Sequence, residues 1–514
     1  MVLHRIDYLH QLRRHFGFAV LLFSIVAGTG CGKSGNQDPL QLGGNPGPLG
    51  SPTPSTIQLR MGSEPSDRVI SLSLTLNSLQ ARNSGSTNNL IDLLTDPVTV
   101  EFAHSAIITE PVSIRDIYQD TYSALVFPEM TGSITFYDDS GQKVVQAITV
   151  PAQTVPYQFV LGKDPMVLNV WVDIQKSFTI GATANRRRKA SRYQSSAGMV
   201  GVNPLIVNAQ SQTPNPSVGQ PESGSITFLV GTVSSVDLVN QKIALQPASG
   251  DALTVSYSSS GLNATDFEEC TPATVTGMLV EMAGVTQSDG SVLATEVEAA
   301  GLPTDSQLYG VFSGYNPSGL FAMVVEGGNG VNVNSALVGK SISVDWINDD
   351  YGVNDGGLID MTNTDLHFDE SYVYPGQFVE VEWDTLVVPD TDVCSLDGTP
   401  CNAGYIQPSM IELQQQTITG TVSGLNYNPL TQTGSFTLTP SSNAAIRIQN
   451  PGLTITVNQI PQTYLRGLSS GFNNGSTVNV RGLLFATTPN GGYIPSVSSP
   501  VDFVLVAGRI SGSN

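Results

Sequence analysis

This chain of 514 residues is short of most of what side-chain catalysis requires. It has 5 His, but His4, His10 and His15 lie in the first 30 residues, so only His104 and His367 serve the body of the chain. Its 4 Cys include no C-x-x-C pair, and with two distant His they leave no recognisable zinc set. Charged residues make up 13%, too few for a coiled coil or a disordered acidic tail. Lys and Arg number 22 against 43 Asp and Glu, for a formal charge of −21. Phosphate contacts need clustered cations, so nucleic acid is not an expected partner. The main apolar run near the start, Phe16 to Ala27, is too short for an ordinary membrane span.

What is present begins with an address. Arg5, Arg13 and Arg14 precede that apolar run, and Gly28, Thr29 and Gly30 lead into Cys31, the three parts of an export signal over residues 1–30. Residues 31–66 are rich in Gly, Pro, Ser and Asn and read as a flexible tether. Removing the signal takes away three Arg and Asp7, deepening the formal charge to −23. The small residues before Cys31 resemble the lipobox of bacterial lipoproteins, with Gly28 standing where those usually carry Leu. The resemblance implies that the Cys31 thiol is acylated and anchors the chain to a membrane. Gly32, rather than Asp, after the Cys favours the outer membrane by the same resemblance. The alternative is an ordinary cleaved signal in which Cys31 has no role.

Two motifs fail on their own chemistry. Gly28 to Ser34 looks like a phosphate-binding loop, but the motif needs Gly where Ala27 stands, and no strand and helix flank it. Gly467-Leu468-Ser469-Ser470-Gly471 satisfies G-x-S-x-G, yet no His follows residue 367 to deprotonate the serine, so it reads as a turn between strands.

The mature chain reads as all-β. Over residues 67–180, Ile70, Leu72, Leu74 and Leu76 alternate with Ser71, Ser73 and Thr75, the period-two signature of a half-buried strand. Similar runs follow at 98–102, 122–127, 133–137, 144–150, 157–161 and 168–174, and together they predict a β-sandwich. Residues 181–224 break the rhythm with Arg186, Arg187, Arg188 and Lys189 and then several prolines, and read as a linker, or as a contact to anionic lipid or glycan.

Beyond it lies an internal repeat. Gly231-Thr232-Val233-Ser234 recurs as Gly420-Thr421-Val422-Ser423, with Gly310-Val311-Phe312-Ser313 between them. A second landmark, a Gly opening an apolar strand, stands at Gly277, Gly376 and Gly475, a spacing of 99 both times. A third, the last strand of each unit, is placed at 292–297, 405–411 and 493–497. The expected architecture is therefore an N-terminal β-sandwich followed by three tandem small antiparallel β-barrels or sandwiches, at residues 225–301, 302–416 and 417–514.

The order of lipobox, a strand-rich domain holding Leu72-x-Leu74-x-Leu76 and Val170-Trp171-Val172-Asp173, and then Gly-x-Val repeats resembles uncharacterised bacterial envelope lipoproteins. In those, a domain of unknown function 4382, a transthyretin-like or carbohydrate-binding-like sandwich, precedes copies of domain of unknown function 5666. The resemblance implies architecture and location and carries no site residues.

Candidate chemistry gathers in the middle unit, which has 17 acidic residues and one basic, Lys340. Asp349, Asp350, Asp355 and Asp360 surround the turn Asn354 to Gly357 and are calcium-ligand candidates, although EF-hand spacing fails because Met361 stands at the twelfth position from Asp350. The alternative is a solvated hairpin. Cys394 and Cys401 bracket a short loop and, in an oxidising compartment, read as a disulfide, leaving Cys270 as a buried thiol. Trp171 and Trp383 lie in alternating strands and read as core or sheet-face residues, while Trp346, beside the acidic stretch, is the ligand-contact candidate. The functional expectation is a non-catalytic, membrane-anchored lipoprotein whose modules bind or space, toward polysaccharide or protein. A carboxylate-dependent glycan hydrolase and an adhesion or assembly factor are the alternatives.

Overall fold

The computed structural model describes residues 53–512 apart from 86–88, 139–140, 181–199, 218, 248, 262–263, 269, 300–305, 316–318, 330–337, 348–349, 355–364, 384–404, 429, 432, 443, 469–470 and 491–500. The signal, Cys31, the basic run 186–189, Cys394 and Cys401 all lie outside the described residues. So do Asp349, Asp355 and Asp360.

The N-terminal unit is a sandwich of antiparallel sheets with one parallel pair. One sheet runs in the order Val207–Gln212, Met166–Asp173, Pro54–Glu64 and Thr109–Tyr118. A second joins Gln153–Leu161, Asp120–Phe127, Gln80–Asn83 and Leu90–Asp92, and a third Val98–Glu101, Val69–Leu76, Met130–Tyr137 and Lys143–Val150. Leu59, Leu74, Leu125, Phe136 and Val170 meet in one core between them. The predicted strands are all present, and two assignments change. Pro54–Glu64, inside the segment read as a tether, is a strand paired parallel with Met166–Asp173; its Ile57, Leu59 and Met61 alternate into the core. Val207–Gln212, inside the segment read as a linker, pairs antiparallel with Met166–Asp173. The strand from Val69 is also not half-exposed. A bulge between Val69 and Ser71 turns Ile70 out of the sandwich core onto Tyr137 and Val324, and Ser71 and Ser73 are buried.

The three repeats share one connectivity. In the last, Gln416–Asn428, Thr433–Thr439, Thr454–Arg466, Thr477–Ala486 and Asp502–Gly512 close a barrel in the order first, second, third, fifth, fourth, with the third and fifth strands parallel. This is the five-stranded Greek-key plan of the OB-fold. Its final strand lies beyond the 493–497 expected for it. The first repeat closes the same way through Ser225–Asp237, Lys242–Pro247, Leu253–Ser256, Val292–Ala299 and Leu279–Thr286. In the middle repeat, Ser306–Tyr315, Phe321–Asn329, Ser341–Val344, Phe378–Trp383 and Met410–Leu413 follow the same order, with closure reduced to a parallel bridge between Val344 and Ile406. The long third strand of barrel 3 is split in the others: Asp266–Glu268 in barrel 1 and Asp350–Val353 in barrel 2 continue the pairing parallel to the last strand.

The landmark glycines explain the repeat physically. Gly277, Gly376 and Gly475 all have positive φ (86°, 94° and 88°), a turn conformation that other residues adopt only at a cost. Their N–H groups donate to the carbonyls of Val233, Phe312 and Val422, at 2.7, 2.7 and 2.8 Å. Each acceptor stands two residues after the first landmark glycine. At those first landmarks the neighbouring strand comes so close that a Cβ on Gly310 would lie 2.1 Å from the Val324 carbonyl oxygen.

The barrels pack around the sandwich rather than in a row. Gly250 of barrel 1 bridges to Ile114, which joins that barrel's core. Thr135 donates to the Gly339 carbonyl of barrel 2 at 2.8 Å. Thr417 of barrel 3 donates to the Ala106 carbonyl at 3.0 Å, and Leu483, Phe485 and Val506 of barrel 3 complete the core of barrel 2.

Candidate functional site

Where the sandwich, barrel 2 and barrel 3 meet, they form a partly open pocket of about 110 Å³. Its polar lining includes Asp67, His104, Glu326, Gln416 and Gln449. The turn that presents His104 is built by Glu101, the last residue of its strand. The Glu101 carboxylate accepts from the backbone N–H groups of Leu72 (2.5 Å) and His104 (2.6 Å), and its carbonyl accepts from the Ser105 hydroxyl at 3.0 Å. His104 then inserts between the barrels. Its ring lies against Phe378 with centroids 4.5 Å apart, its Nδ1 is 3.8 Å from Glu326, and its carbonyl accepts from the Arg481 guanidinium at 2.9 Å.

The spacing of His104 and Glu326 is within ion-pair reach, but burial works against both charges. It lowers the His104 pKa, with Arg481 adding to the effect, and raises that of Glu326, with Glu101 adding and Arg481 opposing. The neutral forms are the better description of so enclosed a pair. Burial likewise pushes Glu101 up to about 8 and raises Asp67, whose hydrogen bonds with Ser441 and Thr419 pull the other way. Such a pocket can hold a small polar guest or water.

A second polar region is the seam between the sandwich and barrel 3. Glu222, in the turn Pro221–Ser223, takes Arg509 and Arg466 on its carboxylate, while its carbonyl accepts from Asn169 (2.9 Å) and Gln212. Arg466 also lies 4.6 Å over the Trp171 ring. Arg60 is fully buried there and donates to the Thr109 carbonyl at 2.6 Å; burial lowers its pKa to about 10 against the pull of Glu222 and Glu110.

The third region is acidic. Glu268, Glu296 and Glu298 of barrel 1 each bring a carboxylate oxygen within 4.8 Å of the others. Burial, then Glu268 and Asp266, pushes Glu296 up to about 7. Acidic groups of this kind are common without an ion, and we assign none to them.

The structure does not bring the sequence-predicted candidates together. Trp346 is a correction: it is 1% exposed, its Nε1 donates to the Gly319 carbonyl at 3.0 Å, and it packs edge-on against Phe321 in the core of barrel 2, so it cannot stack on a ligand. Asp350 is exposed at the start of its strand. Trp171 is buried on the outer sheet face, and Cys270 is a buried thiol facing the Val297 carbonyl. His367 is exposed beside Tyr372. The buried acids Glu101, Glu110, Glu281, Glu326 and Glu380 were missed. For two of them a signal exists, since Glu281 and Glu380 each stand four residues after a landmark glycine.

No family model matches the chain, and no curated protein matches it. Among solved structures, a deletion mutant of the single-stranded DNA binding protein from Thermus aquaticus is similar at 14% identity and a TM-score of 0.13, covering 42% of this chain and 96% of that one. A likeness that low carries no inference about ligand or activity.

Proposed function

We propose that this protein is a non-catalytic, lipid-anchored envelope protein, held through Cys31 and presenting its barrels as one binding body to polysaccharide or to another protein.

 The observation that carries this reading is a pair of equivalent hairpin tips. The turn after the first strand exposes Leu238 and Val239 in barrel 1 (57% and 90%), and in barrel 3 the strand end and turn expose Tyr427 and Leu430 (38% and 93%). Apolar side chains repeated at the same exposed turn suit contact with a partner better than solvent. Barrels of this connectivity use that turn and the adjoining strands to hold oligosaccharides or oligonucleotides, a support by analogy of fold only. The net charge of −21 speaks for the first of these ligands over the second.

The export signal, the Gly/Pro-rich segment after Cys31 and the resemblance to envelope lipoproteins support the anchored, outer-membrane location. The packing of the barrels around the sandwich favours binding over spacing, because units meant to extend a chain gain little from a shared core. A glycan array and a pull-down from envelope extract test the reading together. Binding of intact glycan, or capture of a protein partner, supports it, and weakening of that binding by Val239→Ser and Leu430→Ser would locate it at the tips. A glycan hydrolase is the second reading, favoured by Glu296, whose carboxyl is poised near neutrality beside other carboxylates. Release of new reducing ends would establish that reading instead.

A further inference from the structure

The junction pocket belongs to no single module. Ser66, Asp67 and His104 of the sandwich form one wall, Glu326 and Phe378 of barrel 2 another, and Thr417 to Thr419 with the short helix Ala445–Gln449 of barrel 3 the rest. These walls are tied to one another across the module boundaries. The Ala445 N–H donates to the Asp67 carbonyl at 2.7 Å, joining barrel 3 to the sandwich, and Asn450 Nδ2 donates to the Pro375 carbonyl at 2.6 Å, joining barrel 3 to barrel 2. Gln416 is held at both ends of its amide: its Oε1 accepts from the Phe378 N–H at 2.6 Å and its Nε2 donates to the Gly376 carbonyl at 2.9 Å. Protein interiors leave few voids larger than a water molecule, so a space of about 110 Å³ between bonded walls is more than loose packing. Because those bonds fix its shape in advance, a guest is spared the cost of ordering it.

The chemistry of the walls narrows the guest. No Lys or Arg lines the pocket, and Arg481 is turned to the His104 carbonyl, so an anion would meet carboxyl groups without a facing cation. Burial raises the pKa of both Asp67 and Glu326, which works against the ionised carboxylates a cation would need. A neutral guest remains. Ser66, Asp67 and Gln449 offer hydroxyl, carboxyl and amide groups to a hydroxylated edge, while Phe378, Ile418 and Ile446 offer apolar wall to a C–H face. A saccharide ring has both surfaces. A protein cavity of about 150 Å³ takes a benzene ring, so the space here suits one six-membered ring rather than a threaded chain.

We propose that the junction pocket is a subsite for the terminal ring of a neutral saccharide. The proposal rests on the reading that this protein binds polysaccharide, and it adds where a chain end is held, apart from the hairpin tips. Assembly of the pocket from three units also gives the packing of barrels 2 and 3 against the sandwich a role in binding.

The test is saturation-transfer NMR on the full chain with glucose, galactose and N-acetylglucosamine in turn, with glucuronate as the anionic control. At least one neutral sugar is expected to bind in preference to glucuronate. Ala445→Phe, which fills the space without removing a side-chain hydrogen bond, should weaken that binding by about tenfold or more. Val239→Ser and Leu430→Ser should leave it unchanged. Absence of binding by all three neutral sugars, equal binding of glucuronate, or wild-type affinity in Ala445→Phe would overturn the proposal. Should that variant fail to fold, Ser66→Leu on the sandwich wall takes its place under the same criteria. Retention of envelope polysaccharide without binding of any neutral monosaccharide would sink the pocket alone, whereas monosaccharide binding without polysaccharide retention would sink the broader reading and leave the pocket standing.

Discussion

At the scale of single residues, glycine and tryptophan carry the clearest consequences. Gly277 has positive φ and open space where a Cβ would go, so Gly277→Ala meets only the conformational cost, about 1–2 kcal/mol. Gly310 meets a carbonyl, so Gly310→Ala must push two strands apart, at about 3 kcal/mol. Hydrogen exchange of each barrel should rank the two variants in that order, and equal effects would contradict the assignment. Trp346→Ala should lower stability by about 3–5 kcal/mol, read as a fall in melting temperature, without changing glycan or partner binding measured on the folded variant. The landmark glycines were legible because a conformational requirement leaves a residue type at a fixed spacing. Trp346 was misread because its acidic neighbours suggest a surface, whereas its own side chain follows the barrel interior with Val344 and Phe321.

At the scale of elements, the strands that sequence reveals are those whose alternation is strong. Val69–Leu76 shows itself in five apolar residues, while Val207–Gln212 offers only Val207 and Ala209 to the core among polar residues. Pro54–Glu64 was obscured by the Gly/Pro-rich stretch before it, and its second face carries Gln58 and Arg60, which look solvated yet are buried, Gln58 against Thr286 of barrel 1 and Arg60 against Thr109. The turn Pro221–Ser223 shows the same difficulty at the seam, since nothing local marks Glu222 as the partner of two arginines in the last barrel, Arg466 and Arg509. Glu222→Ala leaves Arg509 and Arg466 without that partner in a largely buried seam, and should cost about 3 kcal/mol. A melting temperature within error of the wild type would show that the seam does not depend on it.

At the scale of the whole molecule, buried acids should set how stability follows pH. Glu110 and Glu101 sit at about 7 and about 8, against an ordinary value of 4.5. Below the ordinary value the folded and unfolded chains both hold these protons. As pH rises from there through about 7 and 8 the stabilisation is lost, so the melting temperature should fall across that window. His104 works in the opposite direction, its lowered pKa penalising the folded state as pH drops below the ordinary imidazole range, but it is one group against several carboxyls. A melting temperature that rises steadily from pH 5 to pH 8 would contradict this, a window set by the same carboxyl values. The all-β architecture and its three repeats were legible because periodicity and turn glycines are local. The junction cavity was not, because it exists only once the sandwich, barrel 2 and barrel 3 pack together.

The central claim is that these barrels bind without cleaving. Its most direct test is incubation of the full chain with isolated envelope polysaccharide, reading retention on the polymer and release of reducing ends in the same sample. The account predicts retention, weakened by Val239→Ser and Leu430→Ser, with no reducing ends above background. Turnover abolished by Glu296→Gln would contradict it.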